Sequence, residues 1–498
     1  MDRHVLQRGA LLFLILFAFA IRISGLTAQS LWRDEVDAVR FSDAPLSALV
    51  SNFTRPGWNG PLYYVFLRFW MMLVGSSEFA MRYFSLGFGV LAVAMIYRLG
   101  RAWCSPVVGA LAALLTACSP YMVWYAQEAK MYTLLTVLAI GALYLYREAL
   151  GRGDPRLWTA VVMLIWVTVG VHVMGALLIP VMTLLVLAWW PVSRRRWRQA
   201  GLALAGSVLP GTVALPWILP LLVRGGNIGH HFEPLPGMVT TMLYAFGRGI
   251  TSAGGQWPTV LAIFALLAAT TLWPGTDLLS WFQAVARGQK RCLGAVEGRH
   301  CVLGAWVWLA VPILGLYAVT LRVPMFVDRY LIWTGPAFYL LVARGLEMVR
   351  RRSAVLAGVC LAAMLMLNSS GVWQQTSTPL KSDFRAAAAY VRRHRQPDEL
   401  ILFHISYVRE TFEYYYGDSS PTGDGIPTDE QTTPASVDAA MRERVAGYEV
   451  VWLVLSEPEM WDRRGMTVDW LNARTNPEIE SDFARVSVIK YHMPQDLP

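Results

Sequence analysis

Charge is what this chain has least of. Only 15% of its 498 residues are Asp, Glu, Lys or Arg, against about 25% in an ordinary soluble domain. That deficit, with 55% hydrophobic residues, excludes a purely soluble reading. Cysteine is scarce too: the five are Cys104, Cys118, Cys292, Cys301 and Cys360. No CxxC pair exists, so a thiolate zinc site is not expected, and Cys292 and Cys301 read as unrelated thiols. There is no P-loop, no dinucleotide-binding glycine fingerprint and no nucleophile triad. The net charge is +9, yet no basic stripe interleaves with exposed aromatics, which argues against a nucleic-acid partner.

What is abundant is apolar length. Apolar stretches near 9–26, 80–98, 106–122, 131–147, 157–173, 174–190, 200–222, 257–273, 302–320, 330–349 and 353–370 approach the roughly 20 residues a helix needs to cross a bilayer. These predict about eleven transmembrane helices. After residue 370 charges, prolines and short alternating runs take over. The expected division is a membrane domain over 1–370, including an outer loop 27–78, and a soluble α/β domain over 371–498. In the latter, Ser382–His394 reads as a helix, and Leu400–Phe403, Glu449–Leu455 and Val486–Tyr491 read as strands. The polar stretch 417–433 reads as a loop.

Basic residues fix the orientation. Arg147, Arg152 and Arg156, the Arg194–Arg196 cluster, the loop holding Lys290 and Arg291, and Arg350–Arg352 fall on one side when the N-terminus is inside. The C-terminal domain is then extracytoplasmic. The start, Met1 to Leu26, reads as a signal peptide or a retained first helix; Arg22 within it favours retention, and both leave the next segment outside. Residues 60–75 are apolar but carry Arg68, and a crossing there would move every later basic cluster outside. They are expected to lie as an interfacial helix. No cysteine falls in an outer loop, so no extracytoplasmic disulfide is expected.

Ionisable groups near a membrane mark functional sites by default. Four clusters gather on the outer side. Leu31 to Asp37 holds the adjacent carboxylates Asp34 and Glu35, whose mutual repulsion suits one of them to base work; a solvated helix start is the other reading. Asn59 to Tyr64, with Tyr63, is either the wall of a cavity or a turn opening the interfacial helix. Ser119 to Tyr132 places Gln127, Glu128, Lys130 and Tyr132 at membrane depth, as a polar pocket or as an internal ion pair. Arg322 to Tyr330 puts Arg329 and Tyr330 at a span end, where a guanidinium fork suits phosphate, or simply anchors the helix. Arg82 and Arg248 are further cations on this side. His230, His231 and Glu233 are weak candidates for a divalent metal, the one cofactor to consider. Polar groups at one surface, rather than at the midplane in broken helices, favour interfacial chemistry over a transporter or flippase of lipid-linked sugars.

These motifs carry a resemblance. LWRDEVDA, GPLYYVFLRFWMMLVGSSEFAMRYFSLGFGVL, SPYMVWYAQEAKMYTLL, VDRYLIWTGPAFYLLVARGL and KSDFRAAAAYV resemble the bacterial dolichyl-phosphate-mannose–protein mannosyltransferase-like family, within the GT-C superfamily of integral-membrane glycosyltransferases. The resemblance implies a polyprenyl-phosphate-linked sugar donor and an inverting, single-displacement transfer outside the membrane to a glycan, lipid or protein acceptor. It implies that the acidic loop supplies the base, a role that maps onto Asp34 with Glu35 beside it. Lys130, Arg329 and Tyr330 are then expected at the donor phosphate, with Arg82 as a lesser contributor. Two departures stand out: Asn59-Gly60-Pro61 replaces a common His-Pro-Pro, and Lys130 replaces a common Arg.

Overall fold

The computed structural model describes residues 3–53, 60–188, 194–225, 231–250, 264, 268, 293–417, 421–425, 432–458 and 462–494. The chain divides into two compact units. One comprises 1–26 and 42–375, the other 27–41 and 376–498. The acidic segment after the first helix thus groups with the C-terminal residues, and not with the outer loop to which its sequence position assigns it.

The first unit is helical throughout. Long helices cover Arg3–Ile23, Glu78–Trp103, Tyr132–Arg152, Pro155–Val171, Arg194–Arg224, Leu293–Thr320, Gly335–Arg352 and Ala354–Ser377. Their exposed faces are apolar: Phe13 is 71% exposed, Leu73 80% and Val355 78%. Such a surface suits hydrocarbon and not water. Among the described residues four helices are long and apolar enough to cross a bilayer: Glu78–Trp103, Tyr132–Arg152, Cys301–Thr320 and Ala354–Ser377. A fifth span results if Pro106–Cys118 and Pro120–Ala126, bent by 61°, are counted together. The count falls below the number of apolar stretches because several are interrupted. Short 3₁₀ turns, Val173–Leu177 and Asp328–Thr334, replace the first turns of two expected spans. The expected 257–273 span lies almost wholly outside the described residues. Residues Pro61–Val74 form the anticipated short helix, about 21 Å long at 1.5 Å per residue and too short to cross.

Small residues let these helices approach closely. A Cβ on Gly100 would lie 2.8 Å from the Cα of Gly109, and one on Gly109 would lie 2.6 Å from the Tyr97 carbonyl. Glycine at both positions is therefore what allows the Glu78–Trp103 helix to pack on Pro106–Cys118, as close-packed membrane helices require. Just past the C-terminus of Glu78–Trp103, four residues beyond Gly100, Cys104 is disulfide-bonded to Cys301, with Cα atoms 5.0 Å apart. This corrects the reading of Cys301 as an unrelated thiol: its partner lies 197 residues away, beyond the reach of any spacing argument. Cys118 and Cys360 are free thiols, and Cys292 is outside the described residues.

The second unit is an α/β domain. Its strands are β1 (Leu400–Phe403), β2 (Thr422–Asp424), β3 (Val450–Leu455), β4 (Pro477–Phe483) and β5 (Val486–His492). They form one sheet in the order β2-β1-β3-β5-β4. β1 is parallel to both neighbours, while β5 is antiparallel to β3 and β4. Period-two alternation along the strands builds two cores. Ile401, Phe403, Trp452 and Val488 pack against the helices Phe384–His394 and Ser406–Tyr416. Leu400, Leu402, Leu453 and Ile489 pack on the other face against Pro434–Val445 and Met466–Asn472.

Candidate functional site

In the second unit the acidic segment is a helix, Arg33–Asp43, with Asp34 and Glu35 in its first turn, where the helix dipole favours negative charge. The chain leading into it is stitched to the segment before the Phe384–His394 helix. Gln29 accepts from the backbone N–H of Leu380 and of Lys381, both at 2.9 Å. Ser30 Oγ donates to the Ser382 carbonyl at 2.7 Å, and the Leu31 N–H donates to the Tyr415 hydroxyl. Arg33 and Arg40 both pair with Glu410.

The two carboxylates have different surroundings. Successive helical side chains point about 100° apart. Glu35 is fully buried and accepts a hydrogen bond from Lys381 Nζ at 2.8 Å. Asp34 is half-buried. The expectation that the adjacent carboxylates act on each other as a repelling pair is corrected by this geometry: Glu35 is buried and paired with Lys381, while Asp34 is half-buried.

In the first unit the site is organised by a helix break. Pro120 has no N–H, so the Thr116 carbonyl four residues earlier has no helical partner. The buried Arg22 supplies donors instead, to Thr116 at 3.1 Å, to Ala117 at 3.0 Å and to Ala18 at 3.1 Å. Ser119 restarts the chain as an N-cap, accepting from the Met122 N–H. The helix Pro120–Ala126 then runs directly into the Gln127–Met131 turn, which is tight enough for the Lys130 N–H to reach the Glu128 carbonyl at 2.7 Å. Ser85 Oγ holds the Lys130 carbonyl at 3.0 Å, and Tyr63 in turn lies 3.4 Å from Ser85 Oγ.

This turn delivers Glu128 and Lys130, both buried, to an aromatic cluster. Tyr125 stacks edge-on with Tyr132 at 5.1 Å; Tyr132 lies 6.4 Å from the His172 ring, and Tyr330 lies 5.3 Å from the same ring. Lys130 and Arg329, distant in sequence, both act electrostatically on His172. Glu128, Asp328 and Arg329 act on Tyr125. His172 is buried, and its Nδ1 accepts the Met174 N–H at 3.2 Å. A neutral ring bonded in this way carries its proton on Nε2. That Nε2 makes no hydrogen bond with any described residue. A buried N–H donor with two cations near enough to act on its ring suits an anionic oxygen.

The structure therefore brings Lys130, Glu128, Tyr132, Arg329 and Tyr330 together, and adds His172, Tyr125 and Asp328, which the sequence reading missed. His172 is a lone histidine ending an apolar run, and no sequence signal marks it. Other candidates have structural duties. Gln127 Nε2 donates to the Arg22 and Ser24 carbonyls at 2.9 and 2.8 Å, closing the end of the first helix. Arg82 donates to the Leu26 carbonyl at 2.9 Å. Arg248 is held by Ser370 and Gln374 at 2.9 and 3.0 Å. Tyr63 is fully buried between Ser85, Tyr64 and Phe84. Asn59 and His230 lie outside the described residues; His231 is exposed and Glu233 half-buried. Among the described residues no three His, Cys, Asp or Glu side chains converge as a metal site would require.

With this geometry in place, the chain can be set beside known proteins. Residues 55–223 match the family model for dolichyl-phosphate-mannose-protein mannosyltransferase. No curated protein sequence matches the chain significantly. The fold matches ArnT from Cupriavidus metallidurans bound to undecaprenyl phosphate, with a TM-score of 0.59 at 12% identity, over 97% of this chain and 98% of that one. It also matches the oligosaccharyltransferase AglB from Archaeoglobus fulgidus in complex with an inhibitory peptide and a dolichol-phosphate, with a TM-score of 0.54 at 12% identity, over 99% of this chain and 75% of that one. The same archaeal enzyme tethered to an acceptor peptide gives 0.56 at 12% identity, over 99% and 74%. At such identities the likeness establishes the fold alone: a helical unit with apolar helices long enough to span a membrane, and a C-terminal sheet domain.

Proposed function

We propose that the chain is an inverting glycosyltransferase that moves a sugar from a polyprenyl-phosphate donor to an acceptor hydroxyl on the extracytoplasmic side of a plasma membrane. The observation that carries this is the buried His172 Nε2–H donor inside the membrane unit, with Lys130 and Arg329 near enough to act electrostatically on its ring. Two cations and a neutral donor at one point suit a phosphate that gains charge as it leaves. The undecaprenyl phosphate of the ArnT structure and the dolichol-phosphate of the AglB structure are ligands of that chemical class.

The reaction needs three things of the protein. Asp34 takes the proton of the acceptor hydroxyl as its oxygen attacks the anomeric carbon. The bond from that carbon to the phosphate oxygen breaks on the opposite face, and its electron pair leaves with the lipid phosphate. A phosphate monoester has its second pKa near 6, so the leaving group needs stabilising charge more than a proton. Lys130 and Arg329 supply that charge, and His172 supplies a hydrogen bond. Tyr132 and Tyr330 wall the phosphate site. Glu128, on the turn that presents Lys130, is placed to accept from a sugar hydroxyl.

The test is transfer by the purified protein from a panel of radiolabelled polyprenyl-phosphate hexoses, pentoses and aminosugars, which also identifies the sugar. General-base help is worth about 10²–10⁴ in rate, so Asp34→Asn is expected to lose at least about a hundredfold while still binding donor. Transfer by that variant at close to the wild-type rate refutes Asp34 as the base. Failure of every donor in the panel refutes the proposed reaction.

A further inference from the structure

A second cavity sits elsewhere in the membrane unit. It has a volume of about 660 Å³ and is lined by Leu11 of the first helix, by Leu91, Met95, Arg98 and Arg101 of Glu78–Trp103, and by Tyr144 of Tyr132–Arg152. Leu91, Met95 and Arg98 follow one stripe of the helix at spacings of four and three, and Arg101 continues it. At 1.5 Å per residue the wall from Leu91 to Arg101 runs about 15 Å. One end is apolar and the other holds two guanidinium groups.

The arginines set the character of that end. Among the described residues no carboxylate lines the cavity. Neither Arg98 nor Arg101 forms an ion pair among the described residues. Arg98 instead lies over the Tyr144 ring, with Cζ 4.9 Å from its centroid. A small anion needs the two cations but not about 15 Å of apolar wall. A neutral apolar ligand needs the wall but not the cations. Only a ligand with a phosphate at one end and hydrocarbon at the other uses both.

We infer that this cavity binds an anionic glycerophospholipid, its phosphate held by Arg98 and Arg101 and the upper part of one acyl chain lying along Leu91, Met95 and Leu11. The two arginines sit at the C-terminal end of their helix, where basic residues also complement the dipole. Under the orientation argued above, that end faces the cytoplasmic leaflet. The lipid site is separate from Lys130, Arg329 and His172, and does not depend on the reaction assigned to them.

The experiment is native mass spectrometry of the full-length protein after equilibration with vesicles of equal parts phosphatidylglycerol and phosphatidylcholine. The wild type is expected to retain one phosphatidylglycerol per chain. Two interfacial cations are worth about thirtyfold in retention over the neutral lipid, and Arg98→Gln with Arg101→Gln should erase that preference. Leu91→Trp keeps both cations but fills the apolar end, and should also release the lipid. Unchanged preference in either variant overturns the inference. Equal competition by deacylated glycerophosphoglycerol overturns it, because the apolar wall would then contribute nothing. Displacement by an equimolar polyprenyl phosphate overturns it too, by making the cavity a donor site. Sugar transfer by the two variants at the wild-type rate keeps a failure of the lipid site distinct from a failure of the proposed reaction.

Discussion

Breaking the Glu35–Lys381 pair should release the acidic helix from its anchor. The pair is 2.8 Å long, with side-chain exposures of 0% and 7%, and it links residues 346 apart. Removing one partner of a buried pair leaves the other charge uncompensated, at a cost of about 3–5 kcal/mol. The cost falls on local opening, because the pair joins one short helix to the rest of its unit. At about 1.4 kcal/mol per tenfold, opening of residues 27–41 should rise by roughly 10² to 4 × 10³ in Lys381→Met, read as faster amide hydrogen exchange confined to that segment. The double variant Glu35→Gln, Lys381→Met removes both charges and should recover most of the protection. It should recover most of the transfer activity as well, since Glu35 is assigned an anchoring duty and Asp34 remains. Exchange unchanged in Lys381→Met refutes the anchoring argument. Restored protection with activity still lost refutes the division of labour between the two carboxylates.

Arg22→Met should strand the Thr116 and Ala117 carbonyls in an apolar setting. At about 1–3 kcal/mol for each orphaned acceptor, a marked fall in the unfolding midpoint in detergent is expected; a midpoint within a degree of wild type would show that the arginine is not what satisfies the break. His172→Phe keeps the ring's bulk and removes the Nε2–H, so it should weaken binding of a polyprenyl phosphate by about tenfold, the worth of a hydrogen bond to a charged group; equal affinity by fluorescence titration would remove His172 from the phosphate site. In the second unit, Arg442 first, and then the Trp470 indole N–H, hold the Asp438 carboxyl below the usual carboxylate range. Its stabilising contribution is therefore present above about pH 3.9, the unfolded value, and is lost as pH falls through the lower folded value. The difference in unfolding midpoint between wild type and Asp438→Asn should shrink as pH drops below about 4; a constant difference down to about pH 2.5 would contradict this.

The parts of the fold that the sequence discloses are those whose burial is local and complete. β1 was expected at its observed bounds, and β3 and β5 within one residue, because β1 and β3 read as continuous apolar runs and β5 mixes β-branched and aromatic residues with polar ones. The edge strands escaped. β2 is the three residues Thr-Gly-Asp inside a polar stretch, and β4, Pro477–Phe483, alternates exposed charges with half-buried side chains. Edge strands carry such charge to resist further pairing, which makes them resemble loops. The grouping of residues 27–41 with the C-terminal unit escaped for another reason. It rests on contacts such as Gln29 with Lys381 and Arg33 with Glu410, which no local pattern encodes.

The site teaches a sharper rule about charge in membranes. In the sequence Arg82, Gln127, Lys130 and Arg329 are all candidates as polar groups in or beside the membrane, whereas Arg22 reads only as the mark of a retained first helix. Helix geometry separates them. Arg22 faces carbonyls that Pro120 leaves without a donor, and Gln127 and Arg82 close the end of the first helix at Arg22, Ser24 and Leu26. Their donors go to backbone that hydrocarbon cannot satisfy, which is reason enough to keep them. Lys130 and Arg329 come from distant segments and both act electrostatically on His172, a ring whose Nε2 bonds to no described residue. A buried cation whose donors go to carbonyls opened by a proline break, as those of Arg22 do, therefore argues for structure. Convergence of cations from distant segments on a buried donor argues for a ligand. The first test can be applied to a sequence by looking for the break. The second needs the fold, because Lys130, His172 and Arg329 meet only after the intervening helices have packed.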